Sequence, residues 1–183
     1  MEEIKGKKVL VVGLGKSGIA AVQALQKLGA KVYVQDMKKR EELDGQLLGL
    51  LESRDVECYL GAVPDEKENF EMLILSPGVR PDMGFIKKAK KNGAEIIGEL
   101  EIAYRTGKGK YVAITGTNGK TTTTALTGEI FKNAGRKTSV VGNIGVAVIS
   151  KAINATDDTW LVTEVSSFQL ETIRDFKPEI SAI

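Results

Sequence analysis

Twice in this chain an apolar run of strand length stops at glycine and gives way at once to helical spacing. The first instance is "KKVLVVGLGKSGIAAVQALQKLG", the second "YVAITGTNGKTTTTALTGEIF". A short run that is apolar at nearly every position suits a strand covered on both faces, as in a parallel sheet. A glycine-rich turn that opens a helix leaves backbone N–H groups and the positive end of the helix dipole free for an anion. Two such junctions restrict the chain to α/β architectures with ligands at the carboxyl ends of the strands.

The rest of the chain keeps to that scheme. Strands are expected at residues 7–13, 31–36, 56–61, 71–78 and 94–98. Helices fall between them, over 17–29, 39–54, 81–93 and 99–107, the second weakened by Gly45 and Gly49. The stripe Ile19, Val22, Leu25 and Leu28 marks the buried face of the first helix, with Gly29 as its stop. A second series starts with a strand at 111–115 and a helix at 121–133. A strand and turn follow over 138–145 and a strand over 159–167, with short helices at 146–154 and 168–176 and a strand just begun at 177–183. The small-residue stretch "TGKGK" (106–110) is the expected border, giving domains 1–107 and 108–183. The predicted fold class is therefore α/β: a Rossmann-like parallel-sheet domain, then the first part of a P-loop ATPase-like domain. A parallel sheet that stops on a nascent strand reads as a piece of something longer. Residues beyond Lys177 are expected to be mobile or to pair with a neighbouring chain.

Composition narrows the chemistry. The 183 residues contain no histidine, which removes imidazole catalysis and imidazole metal ligands from this chain. Carboxylates, lysine, hydroxyls, backbone amides and oxygen-bound ions remain. With 26 basic and 24 acidic residues there is no basic run of the kind that binds nucleic acid; Lys87, Lys88, Lys90 and Lys91 are spaced like a wet helix face. No segment reads as a signal peptide or a membrane span. A single cysteine, Cys58, excludes an internal disulfide and suits a reducing cytoplasm.

The two loops differ in specificity. Gly13-Leu14-Gly15-Lys16-Ser17-Gly18 is G-x-G-x-x-G between strand and helix, and Asp36 ends the next strand where a dinucleotide enzyme would hold a ribose hydroxyl. By itself this suits an NAD site, and equally a tight turn at a buried strand end. The second loop lacks the first glycine of the common P-loop, since Ile114 stands there. Gly116, Thr117, Asn118, Gly119, Lys120, Thr121 and Thr122 nevertheless keep the working parts: an amide nest, a lysine for the terminal phosphates and a hydroxyl for Mg²⁺. Glu164, ending the strand "TWLVTE", is the best-placed carboxylate for that ion. A solvated strand-end glutamate would look the same, and Asn143 in "GNIG" could be only a turn former.

"AITGTNGKTTTT" resembles the ATP loop of the Mur ligases of bacterial cell-wall synthesis, which show the same missing glycine. "GNIG", "EVSSFQLE", "VVGLGKSGIAA" and "LSPGV" resemble the branch that joins D-glutamate to UDP-N-acetylmuramoyl-L-alanine. That resemblance implies a front domain for the uridine nucleotide rather than NAD, with Asp36 on uracil. Gly15, Lys16, Ser17, Ser76, Pro77 and Gly78 would line the same ligand. It implies ATP on Gly116 to Thr122, Mg²⁺ on Thr121 and Glu164, and Lys120, Asn143 and Glu164 as catalytic residues. Asn143, Ser166 and Gln169 would face the muramoyl-alanine end. The implied reaction is an ADP-forming amide ligation through an acyl phosphate, in a cytoplasmic, monomeric full-length enzyme. Met37 departs from a position often hydroxylic in the family, and Lys16 adds a cation. The family's second metal site and its D-glutamate pocket would lie after Ile183, so the isolated chain is expected to be inactive. Competing readings are an NAD-binding oxidoreductase with an accessory P-loop, a folylpolyglutamate synthase-like ligase, and a nucleotide-sensing module.

Overall fold

A computed structural model of the chain describes residues 4–54, 56–65 and 67–183. The chain forms two compact units, dividing between Ile97 and Gly98.

The first unit runs β1 (Lys8–Val12), α1 (Lys16–Lys27), β2 (Lys31–Asp36), a 3₁₀ turn at Arg40–Glu42, α2 (Gly45–Glu52), β3 (Glu57–Leu60), β4 (Met72–Leu75), α3 (Gly84–Lys91) and β5 (Glu95–Gly98). Its sheet has the order β3-β2-β1-β4-β5, with β1 parallel to both β2 and β4 and β2 parallel to β3. The chain therefore winds one way through β2 and β3, then the other way through β4 and β5, and the reversal lies between β1 and β4. In open parallel sheets the ligand crevice lies at such a reversal, outside the carboxyl ends of the strands. Val9, Leu10, Val11 and Val12 are all buried, as the unbroken apolar run predicts. Leu10, Leu73 and Ile74, each at most 1% exposed, contribute roughly 2 kcal/mol apiece by burial.

The second unit continues with α4 (Glu99–Thr106), β6 (Lys110–Ile114), α5 (Lys120–Asn133), β7 (Thr138–Gly142), α6 (Val148–Ala152), β8 (Trp160–Glu164), α7 (Ser167–Leu170) and β9 (Ile180–Ala182). Its sheet order is β7-β8-β6-β9, and β6 is parallel to both β8 and β9. The strand that carries the glycine loop thus lies beside the strand that ends in Glu164.

Four expectations need correction. The single helix over 39–54 is split, because the Asp44 carboxylate accepts from the N–H groups of Gln46 and Leu47 and starts α2 there. The buried face of α1 is Gly18, Ala21, Val22, Ala24 and Leu25, while Ile19 and Leu28 are only half-buried. Small residues face the sheet because the helix lies so close that a Cβ at Gly18 would stand 1.9 Å from the Gly13 carbonyl oxygen.

The border falls ahead of α4, not at 107/108. Both carboxylate oxygens of Glu101, which is fully buried, accept N–H bonds from Arg174, Asp175 and Phe176. Tyr104 meets Tyr111 and Phe176 edge-on, and the Lys108 N–H donates to the Ala152 carbonyl. These contacts bind α4 and the supposed linker into the second unit. Finally, the segment after Lys177 pairs within the chain: β9 lies along β6, and the Ala182 carbonyl accepts from the Thr115 N–H at the mouth of the second loop.

Candidate functional site

In the first unit, three stretches meet at the carboxyl ends of β1, β2 and β4. The Asp36 carboxylate accepts from the Leu14 N–H at 2.7 Å and from the Lys38 N–H at 2.8 Å. The Ser76 hydroxyl donates to the Gly13 carbonyl at 2.8 Å. Asp36 and Ser76 are therefore braces of the loop as well as neighbours of the crevice. Pro77 and Gly78 are exposed on the turn that follows, where Gly78 takes φ +91°.

The three glycines of the loop have different reasons. Gly13 has φ +90° and packs against Val79 and Ser76, and Gly18 admits no Cβ at all. Gly15 has an ordinary φ of −67°, and a Cβ there would meet nothing within 4 Å. Internal packing does not call for glycine at position 15, so the backbone there is open to close approach from outside. Gly15 gives α1 no side-chain cap, so the first-turn amides of Lys16 and Ser17 face the same space. A separate cavity of about 380 Å³ lies under α3, lined by Leu10, Phe70, Leu73 and Phe85. It shares no residue with the loop.

In the second unit, the loop after β6 keeps positive φ at Gly116 (+139°) and Gly119 (+75°). Neither position has a neighbour closer than 3.7 Å to a built Cβ, so the loop is an open cradle. The Lys120 ammonium folds back over it and donates to the Gly116 carbonyl at 2.7 Å. Thr117, Asn118 and Thr122 are exposed around the rim. The Thr121 hydroxyl donates to Glu164 Oε2 at 2.8 Å, and the Asn143 side-chain amide donates to Oε1 at 2.9 Å. Glu164 itself is 1% exposed. A buried carboxylate is costly unless hydrogen-bonded, and here both of its oxygens are engaged.

The donor set suits Mg²⁺, which takes one or two carboxylates with hydroxyl, water and phosphate oxygens rather than a protein cage. Among the described residues no group of three or more His, Cys, Asp and Glu side chains is placed to hold a metal ion. Glu164 and Thr121 bring one carboxylate and one hydroxyl together at the lip of the amide cradle, a donor set that fits such an ion.

Ser166 and Gln169 are drawn into a local task. The Gln169 side-chain oxygen Oε1 accepts from the Ser166 N–H at 2.9 Å, and the Ser166 hydroxyl caps α7. Gln169 is 4% exposed, so what it presents outward is limited.

Two buried acids in α4 went unnoticed in the sequence. Glu99 Oε1 accepts from the Ile149 N–H at 2.6 Å, capping α6, while Oε2 has no hydrogen-bond partner among the described residues. Burial pushes its carboxyl up to about 7, against the pull of that N–H. The Tyr111 hydroxyl is likewise buried with no hydrogen-bond partner among the described residues, and its pKa is raised by burial and by the Glu99 charge. Glu101 goes the other way: burial pushes it up, but the amides of Arg174 and Asp175 and the Arg105 guanidinium together hold it below the usual value. "GELE" shows acids at a helix start, which would ordinarily be wet; only packing buries them.

Residues 7–98 match the description "Mur ligase MurD-like, N-terminal domain", and residues 114–183 match "Mur ligase middle domain". The UDP-N-acetylmuramoylalanine–D-glutamate ligase of Alkaliphilus oremlandii is 52% identical over 183 residues, covering 98% of this chain and 40% of that protein. The like-named enzyme of Clostridioides difficile is 48% identical over 182 residues, again covering 40% of its length. The chain thus spans about two fifths of the curated relatives it matches. Among solved structures, the UDP-N-acetylmuramate:L-alanyl-gamma-D-glutamyl-meso-diaminopimelate ligase from Neisseria meningitides superposes with a TM-score of 0.54 at 16% identity. That superposition covers 96% of this chain and 59% of that one, and it speaks to the fold alone. No helix among the described residues is long and apolar enough to cross a membrane.

Proposed function

The chain belongs to the Mur ligase family, and from that membership and the geometry of its loops we propose that it forms the uridine-nucleotide-binding and ATP-binding part of a ligase adding D-glutamate to UDP-N-acetylmuramoyl-L-alanine. The observation that carries this reading is the Thr121–Glu164–Asn143 cluster at the lip of the Gly116–Lys120 cradle.

In this reading the cradle amides and Lys120 hold the β- and γ-phosphates. Charge building on the transferring phosphoryl group is met by the ammonium of Lys120, with no covalent step on the protein. Thr121 and Glu164 would hold Mg²⁺, which would supply electrostatic stabilisation of the phosphates. The alanine carboxylate attacks the γ-phosphorus, ADP leaves, and the resulting acyl phosphate is taken by the amine of D-glutamate, releasing phosphate as the amide forms.

At the front loop, Asp36 offers only acceptor oxygens, each already sharing one protein N–H. A ligand meeting it must bring a donor, such as the imide N–H of uracil. Gly15, Lys16, Ser17, Ser76, Pro77 and Gly78 line the remainder.

Calorimetry on the 183-residue chain tests both halves. UDP-N-acetylmuramoyl-L-alanine binds and NADH does not; ATP binds weakly, in a Mg²⁺-dependent way, and no amide product forms with D-glutamate. NADH binding in place of the uridine compound overturns the front-loop assignment. Product formation by the isolated chain overturns its status as a partial catalyst.

A further inference from the structure

The grip on Glu164 has more structure than a metal ligand next to a phosphate loop requires. Gly142 takes φ +111°, and a Cβ built there would lie 2.1 Å from the Glu164 carbonyl oxygen, so β7 ends in direct backbone contact with the end of β8. The next residue then bonds Glu164 twice. The Asn143 N–H donates to the Glu164 carbonyl at 2.9 Å, and its side-chain amide donates to Oε1 at 2.9 Å. The loop closes behind it, with the Gly142 N–H donating to the Val146 carbonyl at 3.0 Å. Asn143 is itself exposed, although the oxygen it holds belongs to a buried carboxylate.

We propose that Asn143 is a positioning residue for Glu164, setting the carboxylate plane that a divalent cation meets, rather than a residue acting by its own contact with the muramoyl substrate. This inference rests on the reading of Glu164 as a Mg²⁺ ligand. A carboxylate at the end of a glutamate side chain can turn about its last bond, and Mg²⁺ tolerates little departure from octahedral geometry. One donor on Oε2, from Thr121, restrains that rotation at a single oxygen. A second on Oε1, from Asn143, stops it. The donor is neutral, so it holds the oxygen without cancelling the charge the cation needs; a lysine here would do both. The main-chain bond from the same residue ties the side-chain grip to the backbone of the strand that carries the ligand. Partners of this kind behind a metal ligand are worth about 10- to 100-fold in metal affinity.

The test is a Mg²⁺ titration of the 183-residue chain with ATP, followed by calorimetry, alongside ATP titrations in chelator. Asn143→Ala is expected to weaken the Mg²⁺-dependent component about 10- to 100-fold. ATP affinity in chelator and affinity for UDP-N-acetylmuramoyl-L-alanine stay as in the wild type. In a Glu164→Ala background, Asn143→Ala has no further effect, because no carboxylate is left to orient. Asn143→Ser repeats the measurement with a residue that short turns accept, should the alanine variant fold poorly. Mg²⁺ binding unchanged in both variants overturns the inference, as does an equal loss with and without Mg²⁺ or an additive loss in the double variant. A wild-type chain that binds ATP identically with and without Mg²⁺ overturns the magnesium reading of Glu164 and, with it, this role.

Discussion

The two glycine loops look alike in sequence and are built for different reasons. In the first, Gly13 and Gly18 answer to the protein's own packing, and only Gly15 is left open. In the second, Gly116 and Gly119 answer to backbone conformation around an open cradle, with a lysine folded over it. A G-x-G-x-x-G turn is thus mostly a device for bringing a helix close to a strand, which many ligands can use. The shortened P-loop is mostly a device for exposing amides, which selects phosphate. That difference is why the first motif alone suited NAD as well as uridine.

The sharpest way to break this comparison is Gly18→Ala. The added methyl must displace the Gly13 carbonyl, so we expect a loss of about 3 kcal/mol or more in urea unfolding. Gly15→Ala, by contrast, stays within about 1 kcal/mol of wild type in stability and loses affinity for the uridine ligand. Equal stability of the two variants would erase the distinction between packing and ligand glycines.

Next comes a contrast within the second unit, whose strain lies away from its loop. Burial holds the Glu99 carboxyl at about 7, above its ordinary 4.5. A raised acid costs stability once it must ionise, so the penalty sets in above about pH 4.5 and is complete beyond about pH 7. Glu99→Gln should therefore stabilise the chain by up to about 3 kcal/mol at about pH 8 and leave it unchanged at about pH 4. A pH-independent difference would show that Glu99 is not the source.

Lys120→Ala should cost about 10- to 100-fold in ATP affinity, the value of a charge-assisted contact, with the melting midpoint unmoved. A large fall in stability instead would make the lysine a brace of its own loop. Smallest is Asp36→Asn. It keeps one acceptor, loses charge, and should loosen the first loop by about 1 kcal/mol, seen as faster amide exchange at Leu14.

Much of this was legible in the chain itself. Strands such as Lys31–Asp36 coincide with their expected spans, because apolar periodicity is a local signal. The break in the 39–54 helix was not read, though Asp44 is a good cap: helix propensity in "LLGLLE" masked it. The buried face of α1 was misplaced because closeness to the sheet, not hydrophobicity, selected Gly18 and Ala21.

What the sequence by itself determined was the menu: two series of parallel strands, two anion-ready turns, and an oxygen-based chemistry without imidazole. Only tertiary structure decided how distant residues join. Ser76 reaches Gly13 across 63 positions and Asn143 reaches Glu164 across 21. Glu101 draws a helix assigned to the front domain into the second unit through amides more than seventy residues away. The physical reason is that turn chemistry and periodicity act over one or two turns of chain. A buried carboxylate's partners, by contrast, are chosen only when separate strands come to lie side by side.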